Sequence, residues 1–169
     1  VPANEWIIPL LPAFSLRFPD ITIELDIVSD VPSPLENDVD IAFVMGPITQ
    51  EHLVARRIIR LEELALYATP AYLQECGEPN TPADLGNHEA LRHLRIPEWN
   101  LVHTASGKVE TILPSARFSV ANFMGLQKLC LADMGIAVWH NWVVNDFVEK
   151  RQLQRVLPEW SLEPWEFYA

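Results

Sequence analysis

Apolar residues recur along this chain with two different periods, and the changes between them mark out its elements. The opening stretch EWIIPLLPAFSLRF places Trp6, Ile7, Leu10, Leu11, Phe14 and Phe18 on one helical stripe, with Asn4 as a candidate N-cap. Pro9 and Pro12 lack the N–H that an inner turn needs, so this helix is predicted to start late or to bend. In ITIELDIV the period changes to two: Ile21, Ile23, Leu25 and Ile27 alternate with Thr22, Glu24 and Asp26, which predicts a strand over 21–28 with one wet face. Residues 29–37 carry two prolines among turn formers and read as a loop. The run DVDIAFVMGP is apolar on both faces from Val39 to Met45, the pattern of a central parallel strand, and it stops at Gly46 and Pro47.

Further on, LALYATPAYLQECG predicts a strand, a short helix opened by Thr69-Pro70, and Gly77 as its C-cap. Strands are predicted near 96–103 and 108–120 with Ser106-Gly107 as the turn between them. A helix follows from the N-cap Asn122 through Phe123, Leu126, Leu129 and Cys130, ending by Gly135. A strand at Ile136 to Trp139, a helix across NWVVNDFVEK, a strand at Leu153 to Leu157 and a terminal strand in PWEFYA complete the chain. Alternation of strands and helices predicts α/β layers, and the cluster of hairpin-like strands in the middle predicts a second lobe. In open α/β sheets ligands lie beyond the carboxyl ends of strands, so the end of the 39–45 run, where Gly46 lets backbone come close, is a candidate binding position.

Composition narrows the function. The chain has 169 residues, 49% of them apolar, enough for a real core in one domain or two small lobes. With 12 Lys and Arg against 23 Asp and Glu, its net charge of −11 opposes contact with phosphate backbones. No run approaches the ~18 apolar residues of a membrane span, and no basic flank precedes an apolar run, so a cytoplasmic location without membrane contact is the expectation.

Catalytic motifs are absent. HEALRH at 88–93 has the histidines five apart, which at 100° per residue turns them by about 140° and breaks the helical zinc motif. There is no G-x-S-x-G elbow, P-loop or dinucleotide fingerprint, so neither metal nor cofactor is expected and an enzyme is the least favoured reading. Cys76 and Cys130 have no paired spacing. Cys130 sits among Leu126, Leu129 and Leu131 and reads as a buried inert thiol, whereas Cys76, before Gly77, reads as exposed.

The ordered set PLLPAFSLRFPDITIEL, DVDIAFVMGP, LVARRI, LYATPAYLQECGEPNTPADLGNHEAL, ADMGIAVWHNWV and QLQRVLPEW resembles the effector-binding domain of LysR-type transcriptional regulators, in register over nearly the whole chain. The resemblance implies a two-lobed α/β fold like that of periplasmic binding proteins, with a small-molecule effector held between the lobes. Residues 1–66, joined by 164–169, would form the first lobe, and 67–163 the second. It also implies antiparallel dimers or tetramers in which the first helix and the strand 21–28 meet the second-lobe helix of another copy. DNA would be read only by a winged helix-turn-helix domain outside this chain, which fits the acidity. A solute-binding protein of a transport system is the alternative, sharing the same cleft.

Under this resemblance the candidate effector contacts are Pro2 and Ala3 before the first helix, Ser29 past the 21–28 strand, and Val44, Gly46 and Pro47 at the cleft floor. From the second lobe come Asn122, Phe123, Trp139 and His140. Each has a plainer reading. Val1 to Asn4 would equally be a frayed end, and Ser29 and Gly46 ordinary turn residues. Asn122 would cap a helix, Phe123 would be core, and His140 would be a surface histidine without function. Free N–H groups at helix starts favour a carboxylate as effector, and Phe123 with Trp139 would suit an aromatic one.

Overall fold

The computed structural model describes residues 6–27, 39–45, 54–61, 63–94 and 96–169. Within them the strands form two sheets. The smaller has the order β1 (Val44–Met45), β11 (Glu166–Tyr168), β2 (Arg57–Arg60), all antiparallel. The larger runs β6 (Val109–Ile112), β5 (Trp99–His103), β10 (Trp160–Leu162), β3 (Leu64–Ala68), β8 (Ile136–His140), β4 (Ala90–His93), β7 (Phe118–Val120), with β9 (Gln154–Val156) also on β3.

Strands β3 and β8 form the axis of the larger sheet. Every residue of both is buried because each face meets its own core. Leu64, Leu66 and Ala68 of β3 with Ile136 and Val138 of β8 join Trp99, Leu101, Val156 and Trp160 on one side. Ala65 and Tyr67 with Ala137 and Trp139 join Leu126, Cys130 and Val144 on the other. Leu126 and Cys130 come from α3 (Phe123–Leu131) and Val144 from α4 (Asn141–Glu149), while α2 (Pro70–Cys76) sends Tyr72 and Leu73 to the first core. Two apolar faces on one strand therefore mean two covering layers here.

Local chemistry sets the element ends. Thr69 Oγ1 accepts the Tyr72 N–H at 3.2 Å to cap α2 and donates to Asp133 Oδ1, tying α2 to the turn after α3. Gly107 takes φ 69 in the β5–β6 hairpin. At Gly135 (φ 147) a Cβ would lie 2.4 Å from the Glu89 carbonyl oxygen, which accepts the Ile136 N–H at 2.9 Å, so only glycine lets β8 start against β4.

The first helix does start late, as expected from its prolines: a 3-10 turn, Ile8–Leu10, precedes α1, Leu11–Arg17, with Pro9 and Pro12 in first-turn positions where a missing N–H costs nothing. Other expectations are corrected. Residues 21–27 enter no ladder with the described residues, and Ile21, Ile23, Leu25 and Ile27 are exposed; Val28 and the loop 29–37 lie outside the described residues. The central parallel strand predicted over Val39 to Met45 is, where described, only Val44–Met45, antiparallel to β11, with Val39, Ile41 and Phe43 exposed. The neighbour and not the apolar run decides whether a strand is central. The region 108–120 holds two strands, β6 and β7, and the unpredicted β4 falls in the HEALRH segment, which is therefore no helix.

Candidate functional site

In the larger sheet β4 runs parallel to β7, with Leu91 opposite Phe118 and His93 opposite Val120, and parallel to β8, with Ala90 opposite Ile136. The carboxyl ends of all three, at His93, Val120 and His140, thus share one edge, where a chain leaving the sheet opens a crevice. Both following helices start there. Asn122 caps α3 by accepting the Gly125 N–H on Oδ1 at 2.7 Å. His140 is the N-cap of α4 without a side-chain cap, and Tyr67 Oη donates to Oδ1 of Asn141 at 2.7 Å, fixing the first turn to β3. Neither first turn carries an acidic residue, so two positive helix ends face this edge without a carboxylate of their own turn.

Aromatic rings line the same edge. Phe123, first residue of α3, stacks on His93 with centroids 4.2 Å apart and planes 19° apart. It meets Trp139 at 5.7 Å and Trp165 at 6.3 Å. His140 packs edge-on against Trp165 at 5.8 Å and lies parallel to Trp142 at 6.2 Å. From Trp142 the rings continue to Trp6 at 4.8 Å, Phe167 at 5.4 Å and Phe43 at 5.9 Å, reaching the smaller sheet. Trp165 belongs to the segment 163–165 between β10 and β11, and its carbonyl accepts the Leu61 N–H at 2.8 Å. Leu61, which follows β2, is therefore bonded to the segment that leads into β11, next to the rings.

Two indole donors here are unsatisfied: the Nε1 atoms of Trp139 and Trp142 are buried without an acceptor among the described residues. A buried donor left unpaired costs on the order of 1–3 kcal/mol, so an acceptor brought to either nitrogen would be stabilising.

The structure brings Asn122, Phe123, Trp139 and His140 to one strand edge, in different states. Asn122 is exposed and uses its carbonyl oxygen as a cap. Phe123 is half-buried between the two cores. Trp139 is 1% exposed, a core residue with a polar atom. His140, expected on the surface, is 3% exposed, because Trp165 and Trp142 cover the strand end. Val44 is half-buried in β1 of the smaller sheet. Pro2, Ala3, Ser29, Gly46 and Pro47 lie outside the described residues.

Sequence reading missed His93, Trp142, Trp165 and Trp6. In the sequence His93 stands only as half of a failed zinc pair, and its place in β4, two residues past buried Leu91 on the same face, comes from strand pairing that no local pattern signals. Cys130 is buried, its thiol pushed up to about 12, chiefly by desolvation, and Cys76 is exposed. No cluster of three or more metal-ligating side chains exists among the described residues.

A family model described as the LysR substrate binding domain matches residues 1–169. The chain is 28% identical over 157 residues to the HTH-type transcriptional activator AaeR of Escherichia coli, covering 90% of this chain and 50% of that protein. It is 32% identical over 178 residues to the probable HTH-type transcriptional regulator SinR of Salmonella typhimurium, covering 98% and 53%. It thus spans about half the length of the curated relatives it matches. Among solved structures, the regulatory domain of AphB in Vibrio vulnificus superposes with a TM-score of 0.83 at 26% identity, covering 99% of this chain and 84% of that one. The full-length Vibrio cholerae virulence activator AphB gives 0.82 at 27%, covering 98% and 56%.

Proposed function

Because the chain belongs to the LysR substrate-binding domain family, with the two-lobed α/β fold of its structural neighbours, we propose that it is the sensor part of a DNA-binding transcriptional regulator and takes a small-molecule effector between its lobes. The observation that carries this is the shared edge where β4, β7 and β8 end, where α3 and α4 begin and where Leu61 is bonded to Trp165 of the segment connecting the sheets. A molecule seated there would touch both sheets and the segments about which they turn. Its effect requires unequal affinity for two arrangements of the lobes.

Phe123, Asn122, Trp139 and His140 would form one wall, the last two through their edges. Val44 with Pro2, Ala3, Ser29, Gly46 and Pro47 would supply the other. The lobes are 1 to about 66 with 164–169, and the residues between. Positive helix ends and two unpaired indole donors favour a ligand rich in acceptors, a carboxylate first. DNA would be read by a domain outside this chain, since the acidity here opposes it. Copies would associate through the exposed apolar residues of the Ile8–Leu10 turn, α1 and 21–27, Leu10, Phe14, Leu16, Ile21 and Ile23 among them. A cytoplasmic location goes with this role. No helix of the described residues is long and apolar enough to cross a membrane.

The test is thermal unfolding against a panel of aliphatic and aromatic carboxylates with the thiols reduced. Binding to the native state should raise the midpoint with the logarithm of ligand concentration above Kd, by about 2.7 kcal/mol of stabilisation at a hundredfold excess over Kd. Loss of that shift in Phe123→Ala, with the fold retained, would support the site. An undiminished shift in that variant would place binding elsewhere.

A further inference from the structure

The ring contact between Trp6 and Trp142 joins parts of the molecule that belong to different sheets. Trp6 precedes the Ile8–Leu10 turn and rests edge-on against Phe167 of β11 in the smaller sheet, at 5.4 Å. Trp142 is the second residue of α4, which packs on β8 of the larger sheet. Their centroids are 4.8 Å apart with planes at 44°, and Trp142 is backed by His140 at 6.2 Å. Along the chain the two sheets are connected by 61–63 and 163–165, held together by the Leu61 to Trp165 hydrogen bond of 2.8 Å. The tryptophan pair therefore closes, through side chains, a loop that the backbone closes at the connecting segments.

The pair is also incompletely satisfied. In this closed arrangement the Trp142 Nε1 is buried without an acceptor among the described residues. Opening the contact would lose ring packing but let water accept that N–H. Ring packing favours one arrangement and the indole donor favours the other, which is the opposition a two-state contact needs. We infer that Trp6 and Trp142 form a noncovalent latch between the two sheet units, one that closes by leaving the Trp142 N–H unpaired and is thereby poised to open. The latch goes beyond effector binding and is read without any ligand, so it stands or falls separately from the sensor reading.

The experiment measures the distance between the two units by pulsed dipolar spectroscopy on spin labels. One label is placed on the exposed Cys76 at the end of α2, and the other on Val54→Cys, exposed beside β2; the buried Cys130 stays unlabelled. Trp6→Ala removes the ring contact and should broaden the distance distribution and displace its mean. Trp142→Phe keeps a ring but deletes the unpaired donor, so its distribution should be no broader than that of the parent. This contrast separates a latch from general loosening, which would broaden both. Far-UV circular dichroism checks the fold, and Trp6→Leu replaces the alanine variant if that one unfolds. A distribution in the Trp6 variant identical to the parent, or broadening in Trp142→Phe, overturns the latch.

Discussion

Replacing Gly135 with alanine would strike the join that holds β8 beside β4, and with it the strand edge carrying His93 and His140. The added Cβ would sit 2.4 Å from the Glu89 carbonyl oxygen, where ordinary contact begins near 3.4 Å. That oxygen cannot swing aside without giving up the Ile136 N–H it accepts at 2.9 Å. The φ of 147° adds backbone strain for any L side chain. Strain of about 1–3 kcal/mol and overpacking of similar size sum to roughly 2–6 kcal/mol of lost stability. At about 2–4 °C per kcal/mol for a chain of this length, Tm should fall by roughly 4–24 °C. Urea unfolding followed by tryptophan fluorescence gives the free energy. Gly86→Ala is the control, since nothing lies within 4 Å of its Cβ position and no positive φ is required there. If Gly135→Ala cost no more than Gly86→Ala, the close approach of the two strands would be refuted.

Other outcomes follow from single groups. With its thiol near 12 and buried, Cys130 should stay silent to a thiol reagent at mildly alkaline pH while Cys76 reacts, so native protein should titrate one thiol and denatured protein two. Thr69→Val keeps the volume but deletes both the α2 cap and the link to Asp133, and should cost about 1–3 kcal/mol in the same urea assay. Burial lowers the pKa of His88 below its ordinary 6.5, with Asp84 opposing, so the folded state favours the neutral ring. Stability should be complete above about pH 6.5 and decline as pH falls below it, because the unfolded chain takes up the proton more readily; His88→Gln should flatten that decline in a pH series of Tm.

Elements governed by neighbouring residues were legible in the sequence. Thr69-Pro70 announced α2 and Asn122 announced α3, and in the structure both side chains accept the N–H three residues on. Gly107 marked the hairpin for the same local reason. Strand partnership was not legible. Residues 21–27 have perfect alternation and yet form no ladder with the described residues, since alternation fixes which faces differ and not what lies alongside. His140 misled in the same way. At the end of a strand a histidine reads as exposed, and only the return of the chain at Trp165 buries it.

The physics assigned to the run at 39–45 is realised at the ends of other strands. Being apolar on both faces is a demand for two covering layers, and β3 and β8 receive them from the helices and strands that follow, whereas Val39, Ile41 and Phe43 stay exposed. The position of the candidate site then follows from chain order. The path from β7 through α3 into β8, and from β8 into α4, links strands that all run parallel to β4, so each helix must begin where a strand ends and return before the next begins. Two successive crossovers of that kind place both helix N-termini at one edge. Asn122, Phe123 and His140 are together because each occupies a strand-to-helix junction, and that could be read from the sequence once β7 and β8 were known to be parallel to a common neighbour. What no local pattern supplies is the opposing cover of Trp165 and Trp142, which turns an open strand edge into an enclosed one.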